Sequence, residues 1–259
     1  MPWSDLSASQ RELLRNAAIA VGCLLLVVLI FRGCFGGGVS EKLPDFTDYT
    51  STAEKKQAFF EYLTPRVETA LAGVRQSRDE LLEIEENWNR REKLRRGEKK
   101  ALRRWAEDYE IELDPDADLT KSDLAAIKAR VDVVPVSLVI AQASLESGWG
   151  SSRFSREGNN LFGMRCYTRG CGIIPSRRPE GATFEVTRFD TLADCFTAYL
   201  KNLNTHNAYA ELRRIRASLR HQGAEMTGYG LAPGLVRYSE EGWNYVSKIQ
   251  SFIRSNDLD

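Results

Sequence analysis

Between Pro135 and Gly150 the chain reads PVSLVIAQASLESGWG, and Val136, Leu138, Val139, Ile140, Ala141 and Ala143 leave a helix here almost without a polar face. A helix that is apolar around most of its circumference must be enclosed by other elements, so this stretch is expected at the centre of a core. Pro135 suits its first turn. Glu146 stands at its far end, against a Trp bounded by two glycines. An anion at a helix C-terminus meets the negative end of the helix dipole, and burial against Trp149 pushes in the same direction, so both effects raise the carboxyl pKa. A carboxylic acid that keeps its proton near neutral pH is the group that glycosidic bond cleavage asks of its general acid.

The rest of the chain limits what such an acid can serve. Lys and Arg together number 36, as do Asp and Glu, and this balance gives no basic excess for binding nucleic acid. Ala17 to Phe31 is an uninterrupted apolar run of 15 residues bracketed by Arg15 and Arg32. It reads as an uncleaved signal-anchor over residues 17–31, lengthened by snorkelling arginines, with the short tail in the cytoplasm and the remainder exported. Three other readings of this run stay open. One is a lipoprotein-type cleavage site before Cys34, another is signal-peptidase cleavage near Gly36 to Gly38, and the third is a buried helix of a soluble protein. Export would place Cys166, Cys171 and Cys195 in an oxidising compartment, where CYTRGC can close a short loop through a Cys166–Cys171 bridge. Cys195 is then the odd thiol, expected in the core. His206 and His221 lack ligand spacing to a cysteine pair, so zinc is not expected.

Four segments follow from composition and pattern: residues 1–35 as tail and anchor, 36–50 as a linker, 51–113 as a helical hairpin region and 114–259 as a catalytic domain. Ser51 and Glu54 stand in capping-box register, and Phe60, Leu63, Val67, Leu71 and Val74 draw one helical stripe. Pro65 is expected to kink that helix. Arg75 to Trp105 is dense in charge, with a turn expected near Arg96 and Gly97. Short helices are expected over Leu119 to Ala129, Asp190 to Leu203, Tyr209 to Leu219 and Asn244 to Ile253. Gly172 to Pro175 and Ala182 to Arg188 read as a small hairpin with Glu185 on its polar face. The expected class is α+β, mainly helical with a small β-hairpin.

Glycoside hydrolysis usually pairs its acid with a second carboxylate. Glu185 is the first candidate, with Glu157 and Asp190 behind it. Trp149, Phe162, Tyr199, Tyr238, Trp243 and Tyr245 are available as walls for sugar stacking. Tyr238 follows a loop rich in Gly and Pro, which makes it the candidate groove hydroxyl.

The stretch ESGWGSSRFSREGNNLFGMRCYTRGCG resembles the signature of the bacterial Bax-type glucosaminidases, a branch of glycoside hydrolase family 73. Further similarity runs through KKQAFFEYLTPRV, ARVDVVPVSLVIAQASLESGWG, RFDTLADCFTAYLKNLNTHNAYAELR and GLVRYSEEGWNYVSKI, so it covers roughly Lys55 to Leu258. The resemblance implies a lysozyme-like domain that cleaves the N-acetylglucosaminyl β-1,4 linkage of peptidoglycan, and the enzyme is expected to act without metal or organic cofactor. It carries the catalytic Glu onto Glu146, the hairpin acid onto Glu185 and the groove Tyr onto Tyr238. NNLFG, with Asn160 and Phe162, becomes the substrate-groove turn, and Trp149, Tyr199 and Tyr245 are expected to contact the glycan.

The enzyme expected on these grounds is held in the inner membrane by residues 17–31, faces the periplasm and acts on peptidoglycan glycan strands. A lytic transglycosylase of lysozyme-like fold is the first alternative. A wall-binding scaffold without activity is the second.

Overall fold

The computed structural model describes residues 43–259. The apolar run at 17–31 lies outside the described residues. Among the described residues no helix is long and apolar enough to cross a membrane.

The organising element is α1 (Thr52–Arg91), capped by the Ser51 hydroxyl accepting from Glu54 N. At a rise of 1.5 Å per residue it is about 60 Å long, enough to serve two clusters of apolar side chains. Phe59, Leu63, Val67 and Leu71 enter the larger cluster, and Leu81, Ile84 and Trp88 enter the smaller one. The helix continues through Pro65 to Arg91. It ends at Glu92, which takes the left-handed conformation (φ 54°) that closes many helices. The turn expected near Arg96 and Gly97 therefore lies a few residues earlier, because Arg96 already opens α2 (Arg96–Asp108). Leu102 and Trp105 of α2 meet Leu124 and Ile127 of α3 (Lys121–Arg130) in the smaller cluster. That cluster draws on residues from both sides of position 114.

The larger cluster surrounds α4 (Val136–Ser147), whose Leu138, Val139, Ile140, Ala141 and Ala143 are all at most 2 % exposed. Pro135 sits one residue before the helix, at its N-cap. α4 packs on α1 and on two elements from the end of the chain, α8 (Gly228–Leu231) and α9 (Trp243–Ser255). Leu43 and Phe46, within the stretch expected to be a linker, are also part of this core. The remaining helices are α5 (Arg153–Gly158), α6 (Leu192–Thr205) and α7 (Ala210–His221). Thr120 and Thr191 cap α3 and α6 through reciprocal bonds with Asp123 and Asp194.

The expected hairpin is a three-stranded antiparallel sheet. Its strands are β1 (Arg165–Cys166), β2 (Gly172–Ile173) and β3 (Glu185–Thr187), with β3 in the middle. Cys166 pairs with Glu185, and Ile173 with Val186. Cys166 is bridged to Cys171, closing the loop between the two outer strands. Cys195 is buried in the core, and burial pushes its thiol up to about 12, which keeps it from acting as a nucleophile near neutral pH. The described residues are thus mainly helical with a small antiparallel sheet.

Candidate active site

The end of α4 is shaped by three consecutive residues in the left-handed region: Gly148 (φ 56°), Trp149 (φ 60°) and Gly150 (φ 72°). Two glycines adopt this at little cost, whereas a Trp pays roughly 1–2 kcal/mol. Its ring is held by packing. Phe59, Phe60 and Phe252 lie at 5.2–5.7 Å between centroids, and the Lys56 ammonium sits 5.2 Å above the indole. Trp149 is therefore a peg between α1, α4 and α9, not the free stacking wall expected from its position. Gly150 N donates to the Ser147 hydroxyl, and Trp149 N donates to Ser144 O. The last turn of α4, and with it Glu146, is fixed in place.

Glu146 is exposed along one side. Its Oε1 accepts a hydrogen bond from the Tyr245 hydroxyl at 2.7 Å. Protein crowding its other side raises the carboxyl pKa above the usual 4.5. The bond from Tyr245 works against that rise, and the negative charge of Glu241 adds to it. The direction expected from the sequence holds, and its leading cause is burial. Trp149, expected to supply the apolar wall, turns instead toward the three phenylalanines.

Below Glu146 the side chains close into a ring. Tyr245 accepts from Gln142 Nε2 at 2.9 Å, and Gln142 Oε1 accepts from the Tyr199 hydroxyl at 2.5 Å. Tyr199 stacks on Phe162 with centroids 3.8 Å apart. The Phe162 carbonyl accepts from the Tyr238 hydroxyl at 3.2 Å, and Tyr238 stacks back on Tyr245 at 5.2 Å. Phe162, Tyr199, Tyr238 and Tyr245 thus come together, with Tyr238 half-buried and the other three as a foundation rather than a lining. Phe162, Tyr199 and Tyr245 are each under 8 % exposed. The hydroxyl that reaches the acid belongs to Tyr245, while Tyr238 supports it from behind.

Asn160 is also structural. It is 1 % exposed, donates to the carbonyls of Met164 and Thr187, and accepts from the amides of Phe162 and Met164. These four bonds tie the NNLFG turn to the sheet, so Asn160 has no free group to offer a glycan.

Glu185 departs furthest from its expected place. Instead of overhanging a groove it is 5 % exposed, and its two oxygens accept from Gly170 N (3.0 Å) and Gly172 N (2.8 Å). These two amides hold the carboxyl below its usual range, with Arg178 and Arg169 adding to the effect. Glu185 is an ionised anchor for the disulfide loop. The polar face expected for it is real, but the loop between β1 and β2 folds over that face.

Two residues escape the sequence reading. Gln142 is fully enclosed, one turn before Glu146 on α4. An amide inside an apolar helix is costly unless paired, and that mismatch was its available signal. Glu241, in the turn leading to α9, bears on Glu146 by charge while its own carboxylate is paired with Lys248 at 2.5 Å; nothing in the sequence around it marks it. A cavity of about 440 Å³ lined by Glu110, Arg130 and His206 includes no member of the Glu146 cluster.

Residues 121–258 match the family model described as mannosyl-glycoprotein endo-beta-N-acetylglucosaminidase. "Protein bax" of Escherichia coli (strain K12) is 31 % identical over 219 residues, which covers 84 % of this chain and 75 % of that protein. The catalytic domain of the autolysin Auto from Listeria monocytogenes aligns with 82 % of this chain and 90 % of its own, at 17 % identity and a TM-score of 0.42.

Proposed function

Because this chain belongs to the mannosyl-glycoprotein endo-beta-N-acetylglucosaminidase family and is a glycoside hydrolase, we propose that it cleaves the N-acetylglucosaminyl β-1,4 bond of peptidoglycan glycan strands, with Glu146 as general acid. The observation that carries this reading is the state of Glu146. It is a carboxyl open to solvent on one side, desolvated on the other, and bonded through only one oxygen to Tyr245.

In this reading Glu146 gives its proton from Oε2 to the glycosidic oxygen as the bond to the leaving sugar breaks. The carboxylate left behind is stabilised at once by the Tyr245 hydroxyl, already directed at Oε1. Support for the oxocarbenium-like centre comes from the substrate's own acetamido group, because both oxygens of Glu185 are occupied by loop amides. Glu185 contributes by holding that loop. The Glu146 carboxylate then takes a proton from water as the water oxygen bonds to the anomeric carbon and the acetamido oxygen leaves it, which completes hydrolysis and restores the acid.

Export and anchoring through residues 17–31, with the enzyme facing the periplasm, belong to the same proposal. The Cys166–Cys171 bridge supports a place in an oxidising compartment.

Release of muropeptides from purified sacculi tests the proposal. General acid catalysis contributes about 10²–10⁴-fold, so Glu146→Gln should lose nearly all release while remaining folded. Near-native release by that variant would end the assignment. The engagement of Glu185 also favours one rival, a lytic transglycosylase, which needs a single carboxylate. Mass spectrometry of the fragments separates the two. Reducing N-acetylglucosamine ends support the hydrolase, and anhydro-muramyl ends support the rival.

A further inference from the structure

Gln142 is closed to solvent and directs its amide to Tyr199 and Tyr245 rather than to Glu146, yet it governs the hydroxyl that does bond Glu146. Tyr199, 1 % exposed, donates its one hydroxyl proton to Gln142 Oε1. The opposite amide orientation would take that acceptor away from a phenol in a dry core, at a cost of about 1–3 kcal/mol for an unsatisfied donor. With the carbonyl fixed toward Tyr199, Nε2 must face Tyr245 and can only donate to it. Tyr245 therefore accepts from Gln142, and its own single proton is left to point at Glu146 Oε1. Each bond in the series Tyr199, Gln142, Tyr245, Glu146 has its direction set by the one before it.

We propose that Gln142 is a positioning residue for the glycosidase reaction: it orients the Tyr245 hydroxyl as a donor to Glu146 Oε1, and so leaves the reactive proton on Oε2. This rests on the reading of Glu146 as general acid. The amide also fixes Tyr245 in space, because the ring that closes through Tyr199, Phe162 and Tyr238 presses on Tyr245 from the other side. Without Gln142 the hydroxyl is free to turn. It then loses its fixed role as the donor that stabilises the carboxylate formed when the proton departs.

The groups that bear on Glu146 are few. Tyr245 comes from α9, Glu241 from the turn before it, and Tyr199, Tyr209 and Tyr238 sense the Glu146 charge from the surrounding elements. Burial pushes all four phenols above their ordinary value of 10, so none titrates in the working range. Glu241, paired with Lys248, is untouched by a change at Gln142. A shift in the basic limb of activity on substitution of Gln142 thus reports on Glu146.

The experiment compares wild type, Gln142→Met, Tyr245→Phe and the double variant on purified sacculi from pH 4 to 9, with thermal melts as a fold control. Gln142→Met should lower kcat about tenfold, the worth of one directed hydrogen bond to a charged group, leave KM unchanged and move the basic limb to higher pH. The double variant should be no slower than Tyr245→Phe alone, since Gln142 acts through that hydroxyl. An unmoved limb in Gln142→Met, or losses that multiply in the double variant, would overturn the proposal. If Gln142→Met does not fold, Tyr199→Phe removes the proton that orients the amide, and the same limb shift is required of it. Glu146→Gln run alongside separates the two readings. Retained activity there refutes the acid itself, whereas a dead Glu146→Gln with an unshifted Gln142→Met refutes only the role of Gln142.

Discussion

The hydroxyl of Tyr245 lies 2.7 Å from Oε1 of Glu146, so the carboxyl that burial pushes toward its neutral form is also the one offered a donor suited to its charged form. Burial prevails, and the folded-state pKa lies above the unfolded value of 4.5. A raised carboxyl pKa means that stability is fully present below about pH 4.5 and is lost as pH rises through the folded-state value. Glutamine at this position carries no such liability. Glu146→Gln should therefore melt above wild type at pH 8, with the difference shrinking toward pH 4. Calorimetry at the two pH values checks this, and an equal difference at both would contradict it.

Tyr245 and Tyr238 are stacked 5.2 Å apart, yet only Tyr245 reaches the acid. Tyr245→Phe should lower kcat about tenfold to a hundredfold, as expected for a hydrogen bond to a charged group. Tyr238→Phe keeps the stacking and loses one long bond to the Phe162 carbonyl, so its cost should stay within about fivefold. Steady-state kinetics on sacculi with both variants distinguishes the two tyrosines.

Glu185 answers to pH in the opposite sense. Amide donors from Gly170 and Gly172 depress its pKa, so its contribution is present above the unfolded value of 4.5 and is lost as pH falls through the folded one. Glu185→Gln should loosen the loop, and dithiothreitol should then reduce the Cys166–Cys171 bridge faster than in wild type at pH 8. Activity should fall less than in Glu146→Gln. Equal reduction rates would remove the anchoring role.

What the sequence disclosed and what it withheld divide along physical lines. Features set by local chemistry are legible: the largely apolar α4, the cysteine pair five residues apart and the acid at the end of α4. Periodicity also finds the faces of α1 and α9. Features set by long-range packing are not legible. Alternation along β3 puts Glu185 on the face opposite Val186, but only the tertiary fold lays Gly170 and Gly172 across that face. A helical repeat cannot say which of Tyr238 and Tyr245 meets α4. Leu43 and Phe46 sit in a polar stretch with Pro44, which gives no sign of their burial, and Phe46 fills the space left beside Gly150.

That space is narrow enough to test. A Cβ on Gly150 would come within 2.7 Å of Phe46 Cδ2 and 3.2 Å of Phe59 Cε2, at a φ of 72° that L-residues avoid. Overpacking and the backbone penalty together suggest that Gly150→Ala costs about 3 kcal/mol. Adding Phe46→Leu should recover part of that loss, because the ring edge is the obstacle. Urea denaturation of the two variants measures both effects.

The polar junction between the two apolar clusters makes the last prediction. Arg78 lies on α1 between Leu71 of the larger cluster and Leu81 of the smaller, and its Nη1 is 3.1 Å from Asp132 Oδ2. Arg220 grips the same carboxylate with two bonds of 2.5 and 2.6 Å, and Arg216 Nε approaches it at 3.5 Å. Asp132 is 3 % exposed and Arg216 is 1 % exposed. Burial, and then its cationic neighbours, bring the Arg216 guanidinium down to about 10 despite Asp132. The Arg216 and Arg78 side chains also take the carbonyls of Lys128, Ala129 and Val131 at the end of α3, where the helix dipole is negative. Asp132 thus offsets three converging cations, and removing it leaves buried charge without an anion. Asp132→Asn should cost about 3–5 kcal/mol, the range for breaking a buried pair from one side. Replacing Arg220 by Met in the same chain removes one uncompensated cation, so the double variant should be less destabilised than the sum of the two single changes. Urea melts of the three variants decide the matter, and simple additivity would mean that the carboxylate does not act as the common counter-charge.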